Sequence, residues 1–376
     1  MQRTNWSAPE PVFRRRLRDR FGTDDAAAVA TVVDVRGSAY RRPGAKMLFE
    51  GTAATGSITA GCLETDLADA SRRVRESGEP ELRSYDLTSD ESETWGLGVG
   101  CEGVVTVLLE PLSERYRPVV EAFGDRRHLG VLTVLADETG PLEPGSRAYY
   151  RPETGTLEPR DGSTRDAWGG QTLLERADEL VARGRPAVTT QTSDGRSLRV
   201  FVDVVEPVPE LVVFGSGHDV GPVVHAGTDA GFRVTVVGFR GGVDMAARFV
   251  DADRTLTTAP ARIDERLDLT ERTYAVVMTH NFVDDCLTVE RLLASPAPYI
   301  GLLGPTDRYE KLVAELDPSP GTDLERVYAP VGLDLGGGSP HQIAQSIAAE
   351  LLAVRNGKTP THLRTADGPI HERPDP

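Results

Sequence analysis

The sequence predicts an α/β protein in which a C-terminal doubly wound parallel sheet follows an N-terminal mixed α+β domain. Three observations carry this. β-branched runs bracket glycine turns in the first half, apolar runs beyond residue 211 alternate strand, helix, strand, and Glu206-Pro-Val-Pro-Glu210 separates the two patterns. The 376 residues are too many for one ordinary core, and 39% hydrophobic with 27% charged residues is a globular composition. The domains are expected over 1–206 and 211–357, with a polar, proline-rich loose tail over 358–376.

Phe13, Leu17 and Phe21 recur every four residues among Arg14, Arg15, Arg16, Arg18 and Arg20, which predicts a helix with one apolar face. Its arginines form either a solvated face or a basic partner contact. Residues 29–35 and 104–109 read as strands and 63–74 as a helix. The plan then recurs. Gly130-Val-Leu-Thr-Val echoes Ala28-Val-Ala-Thr-Val, Pro144-Gly-Ser-Arg echoes Pro43-Gly-Ala-Lys, 174–182 echoes the helix, and 202–207 echoes 107–111. Two related halves, 28–112 and a degenerate 130–206, explain this, as would chance likeness of strand and turn composition. In the C-terminal domain, strands are expected at 211–214, 233–237, 274–278 and 299–303, and helices at 221–231, 284–293 and 341–354.

Aspartate and glutamate total 58 against 42 lysine plus arginine, a formal charge of −16, which argues against binding a nucleic-acid backbone. Only Lys46, Lys311 and Lys358 are lysines, so nearly all positive charge is arginine. Either a salt-rich cytoplasm or a GC-rich genome produces that skew. No run approaches the ~18 apolar residues a membrane helix needs, and the N-terminus lacks a secretory apolar core, so a cytoplasmic protein without membrane partners is expected. Three cysteines without an export signal argue for thiols rather than a disulfide framework.

Gly215-Ser216-Gly217-His218-Asp219-Val220-Gly221 sits between an expected strand and helix, the context of a Rossmann-like anion-binding turn, although its spacing is one residue longer than the dinucleotide fingerprint. The next strand runs into Gly238-Phe239-Arg240, without the acid that would hold a ribose. Arg240 is instead a candidate phosphate contact. His280, in Thr279-His280-Asn281, falls at the carboxyl edge of the sheet, as do the loops Gly301-Leu-Leu-Gly304 and Pro330-Val-Gly332-Leu-Asp334. In the N-terminal domain, Arg41, Arg42 and Lys46 crowd one turn as an anion grip. Gly56-Ser57-Ile58-Thr59-Ala60-Gly61-Cys62-Leu63-Glu64 places Cys62 near a helix N-terminus, where the dipole lowers a thiol pKa. Cys101 lies in a second glycine turn, 98–103, and Cys286 within a helical pattern. Each N-terminal cysteine is either a functional thiol or a small buried hydrophobe, and a structural zinc site lacks ligands.

Together these residues resemble the XdhC/CoxI family of accessory proteins of molybdenum hydroxylases. The likeness covers 32–47, 56–64, 96–111, 211–240, 276–284, 299–304 and 329–350. It implies a maturation factor, not an enzyme in its own right, that binds the molybdenum cofactor (molybdopterin), supports its sulfuration by a cysteine desulfurase and hands it to the hydroxylase apoenzyme. The cofactor-binding residues it points to are Ser57, Cys62, Glu64, Cys101, Gly215, Gly217, His218, Gly221, Arg240, His280 and Gly304, with Cys62 and Cys101 as contacts to molybdenum and no residue given a catalytic role. A homodimer is the default assembly. Tyr40 stands where the family favours proline, Glu102 and Gly238 where it favours glycine and aspartate, and Pro305 where it favours serine. The competing readings are an NAD(P)-dependent oxidoreductase and a nucleotide-sensing module. If the charge skew is an adaptation to salt, the midpoint of urea unfolding will rise steadily from dilute buffer to molar KCl, and a flat dependence rejects that origin.

Overall fold

The computed structural model describes residues 7–87, 103–160, 162–193, 195–316, 318 and 321–365. The chain divides into two units, Met1–Pro207 and Val208–Pro376. The first begins with α1 (Glu10–Arg20), β1 (Ala27–Gly37), β2 (Lys46–Glu50), β3 (Ala53–Gly56), α2 (Glu64–Ser77), β4 (Glu81–Asp86) and β5 (Gly103–Pro111). It continues with α3 (Arg117–Asp125), β6 (Leu129–Glu138), β7 (Arg147–Arg151), β8 (Thr156–Pro159), α4 (Gly170–Ala182), β9 (Ala187–Ser193) and β10 (Arg196–Val205).

These strands form two antiparallel sheets of identical plan, β3-β2-β1-β5-β4 and β8-β7-β6-β10-β9. Correspondence extends to the details. The β1–β5 register slips at Val33 and the β6–β10 register slips at Leu135, the equivalent position. The two Pro-Gly echoes are the same turn: Gly44 and Gly145 adopt φ of 92° and 87°, and their N–H groups donate to Val32 O and Val134 O, each at 2.8 Å.

β1 is buried along seven consecutive residues rather than alternating, because both of its faces are covered. Ala28, Ala30 and Val32 pack on Leu67, Ala70 and Val74 of α2. Val29, with Leu48 of β2, meets Leu129, Val131 and Tyr149 of the second sheet. That sheet's other face, including Leu132, Val134 and Tyr150, packs on Leu173, Ala177 and Leu180 of α4. The unit is thus four layers, helix on sheet on sheet on helix. Phe13 and Leu17 of α1 enter the middle layer, as the four-residue spacing requires. The arginines of α1 are largely committed to local partners: Arg14 to Glu10, Arg16 to Glu50, Arg20 to Asp25.

Among the described residues two largely buried ion pairs cross between the sheets, besides a more exposed Arg199–Asp34 contact at 3.9 Å. Arg147 of β7 meets Glu110 of β5 at 2.5 Å, both about 5% exposed, and Lys46 of β2 meets Asp203 of β10 at 2.7 Å. Lys46 and Arg147 occupy equivalent places, as do Glu110 and Asp203, so each half lends one cation and one carboxylate to the other. Lys46 therefore turns inward and takes no part in the surface anion grip expected from its neighbours. Burial and the nearby Glu110 carboxylate push the Tyr116 phenol, which donates to Glu110, well above its ordinary range.

The second unit runs β11 (Glu210–Phe214), α5 (Val220–Asp229), β12 (Arg233–Gly238), α6 (Met245–Arg248), β13 (Arg254–Thr257), α7 (Ile263–Arg266), β14 (Thr273–Val277), α8 (Phe282–Leu293), β15 (Tyr299–Leu302), α9 (Thr306–Leu316), β16 (Val327–Tyr328) and α10 (Pro340–Arg355). All six strands are parallel in the order β13-β12-β11-β14-β15-β16, the doubly wound arrangement whose switch point lies between β11 and β14. α5 and α10 cover one face with Val220, Val223, Ala344, Ile347 and Leu351, and α8 and α9 cover the other with Val289, Leu292 and Leu312. Cys286 is buried in that second cluster, where burial pushes its thiol up, so it is a core residue. Among the described residues no helix is long and apolar enough to cross a membrane. The described start of the tail, 358–365, is exposed, and the rest lies outside the described residues.

Glu110→Ala strands the Arg147 guanidinium in the middle layer and is expected to cost about 3–5 kcal/mol, read by urea unfolding. Glu110→Leu combined with Arg147→Met will recover most of that loss, since an apolar pair of similar volume needs no desolvation of charge.

Candidate functional site

Two groups of candidate residues emerge, one in each unit. In the first, the chain leaves β3 at Gly56 and enters α2 at Glu64 through a loop organised by one hydroxyl. Thr59 Oγ1 accepts from the backbone N–H groups of Gly61, Cys62 and Leu63 at 3.3, 3.1 and 3.3 Å, and donates to Glu64 Oε2 at 2.6 Å. Glu64 also accepts from the Thr59 and Leu63 N–H groups and is 4% exposed. α2 has no side-chain cap at Leu63, so Thr59 and Glu64 satisfy the amides that open it. Glu64 is consequently an internal brace of the Cys62 turn. Its carboxylate is occupied by backbone amides and the Thr59 hydroxyl.

Cys62 is half-buried and packs against the cluster shared by β1, β2 and α2. Beside it opens a cleft of ≈ 450 Å³ lined by Tyr40, Ser57, Thr59, Gly61, Glu64 and Thr65. Arg41 donates to Ser57 Oγ at 3.2 Å from an exposed position, which leaves a cation at the cleft. Next along α2, Asp66 accepts from Tyr85 at 2.6 Å and from Arg83 at 2.6 Å. Burial opposes ionisation of Asp66, yet the Tyr85 and Arg83 hydrogen bonds hold it below the usual carboxylate range. Burial and the Asp66 contact push Tyr85 up to about 12. Cys101 and the rest of its turn before Gly103 lie outside the described residues.

In the second unit the loops after β11 and β14 flank the switch point, where open α/β sheets bind ligands. Gly215 is a close-packing glycine: a Cβ there would stand 2.7 Å from the Met278 carbonyl oxygen. Gly217 opens room of another kind, because a Cβ would stand 2.3 Å from Asp219 Oδ1. The absent side chain at Gly217 thus leaves room for the Asp219 carboxylate. Asp219 Oδ2 pairs with His280 Nε2 at 2.8 Å. His280 has φ of 57°, a left-handed conformation that is uncommon away from glycine.

The segment after His280 is anchored firmly. Thr279 Oγ1 donates to Asp285 Oδ1 at 2.5 Å, Asn281 caps α8 by accepting from the Asp284 N–H, and the 1% exposed Asp285 carboxylate binds Arg308 at 2.5 Å. Arg240, expected as a phosphate contact, binds Asp284 at 2.5 Å. Arg248 donates to the Ser216 carbonyl at 2.7 Å. His218 is exposed, Gly221 lies in α5, and Gly304 sits beside Arg308, which a Cβ would meet at 2.6 Å. Asp219, Asp284, Arg248 and Arg308 were not singled out from sequence. Only Asp219 was legible, being inside the glycine turn; the others meet their partners across long stretches of chain. No three of His, Cys, Asp and Glu converge as a metal-binding set among the described residues.

The family model described as the XdhC Rossmann domain matches residues 211–351, and that described as the XdhC and CoxI family matches residues 22–86. A Bacillus subtilis protein named as a probable xanthine dehydrogenase subunit is 30% identical over 346 residues, 91% of this chain and 97% of that one. The chain belongs to the XdhC and CoxI family. The uncharacterized protein YqeB of Escherichia coli is 27% identical over 195 residues, 50% of this chain and 35% of that one. A Bacillus halodurans crystal structure described as a xanthine dehydrogenase superposes with a TM-score of 0.72 at 26% identity, covering 95% of this chain and 97% of that one. The XdhC and CoxI match ends at residue 86, so within it lie the Thr59–Glu64 brace and Cys62.

Thr59→Val removes the acceptor of three amides and is expected to destabilise by about 1–3 kcal/mol in urea unfolding, whereas Thr59→Ser keeps the hydroxyl and stays near wild type.

Proposed function

We propose that this chain is an accessory protein of a xanthine dehydrogenase or carbon monoxide dehydrogenase type hydroxylase that binds molybdenum cofactor, supports its sulfuration and delivers it to the apoenzyme. Family membership and the names of its relatives support the accessory role. The observation that carries the cargo reading is the open cleft beside the braced Cys62 turn, since it offers the Ser57 hydroxyl and, on that hydroxyl, the Arg41 guanidinium to one small ligand. Arg41 supplies charge-assisted hydrogen bonds of the kind a phosphate accepts. Cys62 sits in the turn immediately before α2, which begins at Glu64. Thr59 and Glu64, which also line the cleft, hold the turn in shape.

On this reading the partners are the hydroxylase apoenzyme and a cysteine desulfurase, the compartment is the cytoplasm, and the protein itself need catalyse no turnover. A homodimer is the proposed assembly. An oxidoreductase using NAD(P) is the competing reading. It is disfavoured because β12 ends without a ribose-binding acid and Arg240 is paired with Asp284.

Full-length protein produced in cells that make molybdenum cofactor is expected to retain pterin, detected by its fluorescence after oxidation, and Cys62→Ala or Cys101→Ala will lower the amount retained. Tight binding of NADP with no pterin would reverse the conclusion in favour of the oxidoreductase.

A further inference from the structure

The middle layer of the N-terminal unit encloses a small cavity of ≈ 20 Å³ between its two sheets. Both buried ion pairs line it, with Thr31, Thr133 and Tyr116, so its wall is polar within a layer otherwise filled by apolar side chains. The two pairs are unequal in one respect. Lys46 is well partnered, since its ammonium donates to the Gly44 carbonyl at 2.9 Å and binds Asp203 at 2.7 Å. Arg147 carries five N–H donors on a rigid fork, yet only Nη2 finds acceptors, Glu110 Oε2 at 2.5 Å and Thr133 Oγ1 at 3.3 Å. Its Nε and Nη1 are buried without a hydrogen-bond partner among the described residues. The carbonyl equivalent to that of Gly44, on Gly145, accepts instead from Arg115 at 3.4 Å. Glu110 is likewise half used: Tyr116 and Arg147 both donate to Oε2, which leaves Oε1 as an open acceptor.

We propose that this cavity is a binding site for one ordered water, which accepts from the Arg147 guanidinium and donates to Glu110 Oε1 or the Thr31 hydroxyl. Size and charge select the occupant. A water needs roughly 10–15 Å³ of such space and about two to four polar partners, and the cavity supplies both. The four surrounding charges, Lys46 and Arg147 against Glu110 and Asp203, sum to zero. An anion would share the space with two carboxylates, and a cation has no acceptor to offer the orphan N–H groups. A neutral molecule that both accepts and donates suits them. A larger cavity of ≈ 220 Å³, lined also by Glu79, Ser113 and Arg115, shares the Glu110 and Tyr116 walls, which gives the water a path of exchange. The water is thus part of what fixes the sheets: it lets a five-donor guanidinium stand where the other half uses a compact ammonium.

A crystal structure of the full-length protein grown in sodium bromide is expected to show a water within hydrogen-bond distance of Arg147 Nε or Nη1 and no anomalous bromide peak beside it. In solution, oxygen-17 magnetic relaxation dispersion will report long-lived internal water. Arg147→Lys, which gives the second half the cation of the first, will lower that signal by one water while circular dichroism stays that of the wild type. Should Arg147→Lys fail to fold, Glu110→Leu combined with Arg147→Met serves the same measurement, because an apolar cavity of this size stays dry. A bromide peak beside Arg147 makes the site an anion site and overturns the proposal. So does an Arg147 whose Nε and Nη1 bond protein atoms with no water present, or a dispersion signal that neither set of substitutions changes.

Discussion

The N-terminal unit depends on the crossed ion pairs of its middle layer. Two five-stranded sheets that share one plan can be laid face to face in several registers by hydrophobic packing alone, because apolar contact is not directional. Arg147 on Glu110 and Lys46 on Asp203 remove that freedom: a shift of one strand would leave charges buried without partners, a far greater penalty than the pairs themselves return in stability. The consequence reaches the cleft. Lys46 begins β2 at the foot of the turn that carries Tyr40 and Arg41, so the pair that fixes the sheets also fixes one wall of the cavity beside Cys62.

The two halves illustrate how a duplicated plan diverges. Both keep the bulge, the Pro-Gly turn and the crossing charges, all of which serve the shared interface. Only the first has the Gly56–Glu64 loop with its hydroxyl-centred brace; the second enters α4 through Gly169 and Gly170 instead. Selection on the interface constrains both copies equally, whereas a ligand site constrains only the copy that holds it. In the parallel sheet, by contrast, the switch point where open α/β folds bind ligands lies between β11 and β14.

Much of this was legible in sequence because it is local. The boundary at Glu206-Pro-Val-Pro-Glu210, the Rossmann turn after a five-residue apolar strand, the echoing halves and the core position of Cys286 follow from periodicity, proline and glycine, which act over a few residues. The candidate sites were legible as places and less so as chemistry. Gly217 reads in isolation as room for a phosphate, Arg240 as its partner and Glu64 as a ligand contact; the structure commits each to a neighbour, Asp219, Asp284 and Thr59.

The sequence by itself determined the fold class, the family and the four inner strands of the parallel sheet, since hydrophobic period and turn residues encode those directly; the edge strands β13 and β16, too short or too polar to show a period, were not read. Only the tertiary structure decided which charges face each other: Lys46 meets Asp203, Arg240 meets Asp284 and His280 meets Asp219 across separations that no local pattern records. Electrostatic partners are chosen by distance in space, and a sequence lists distance only along the chain.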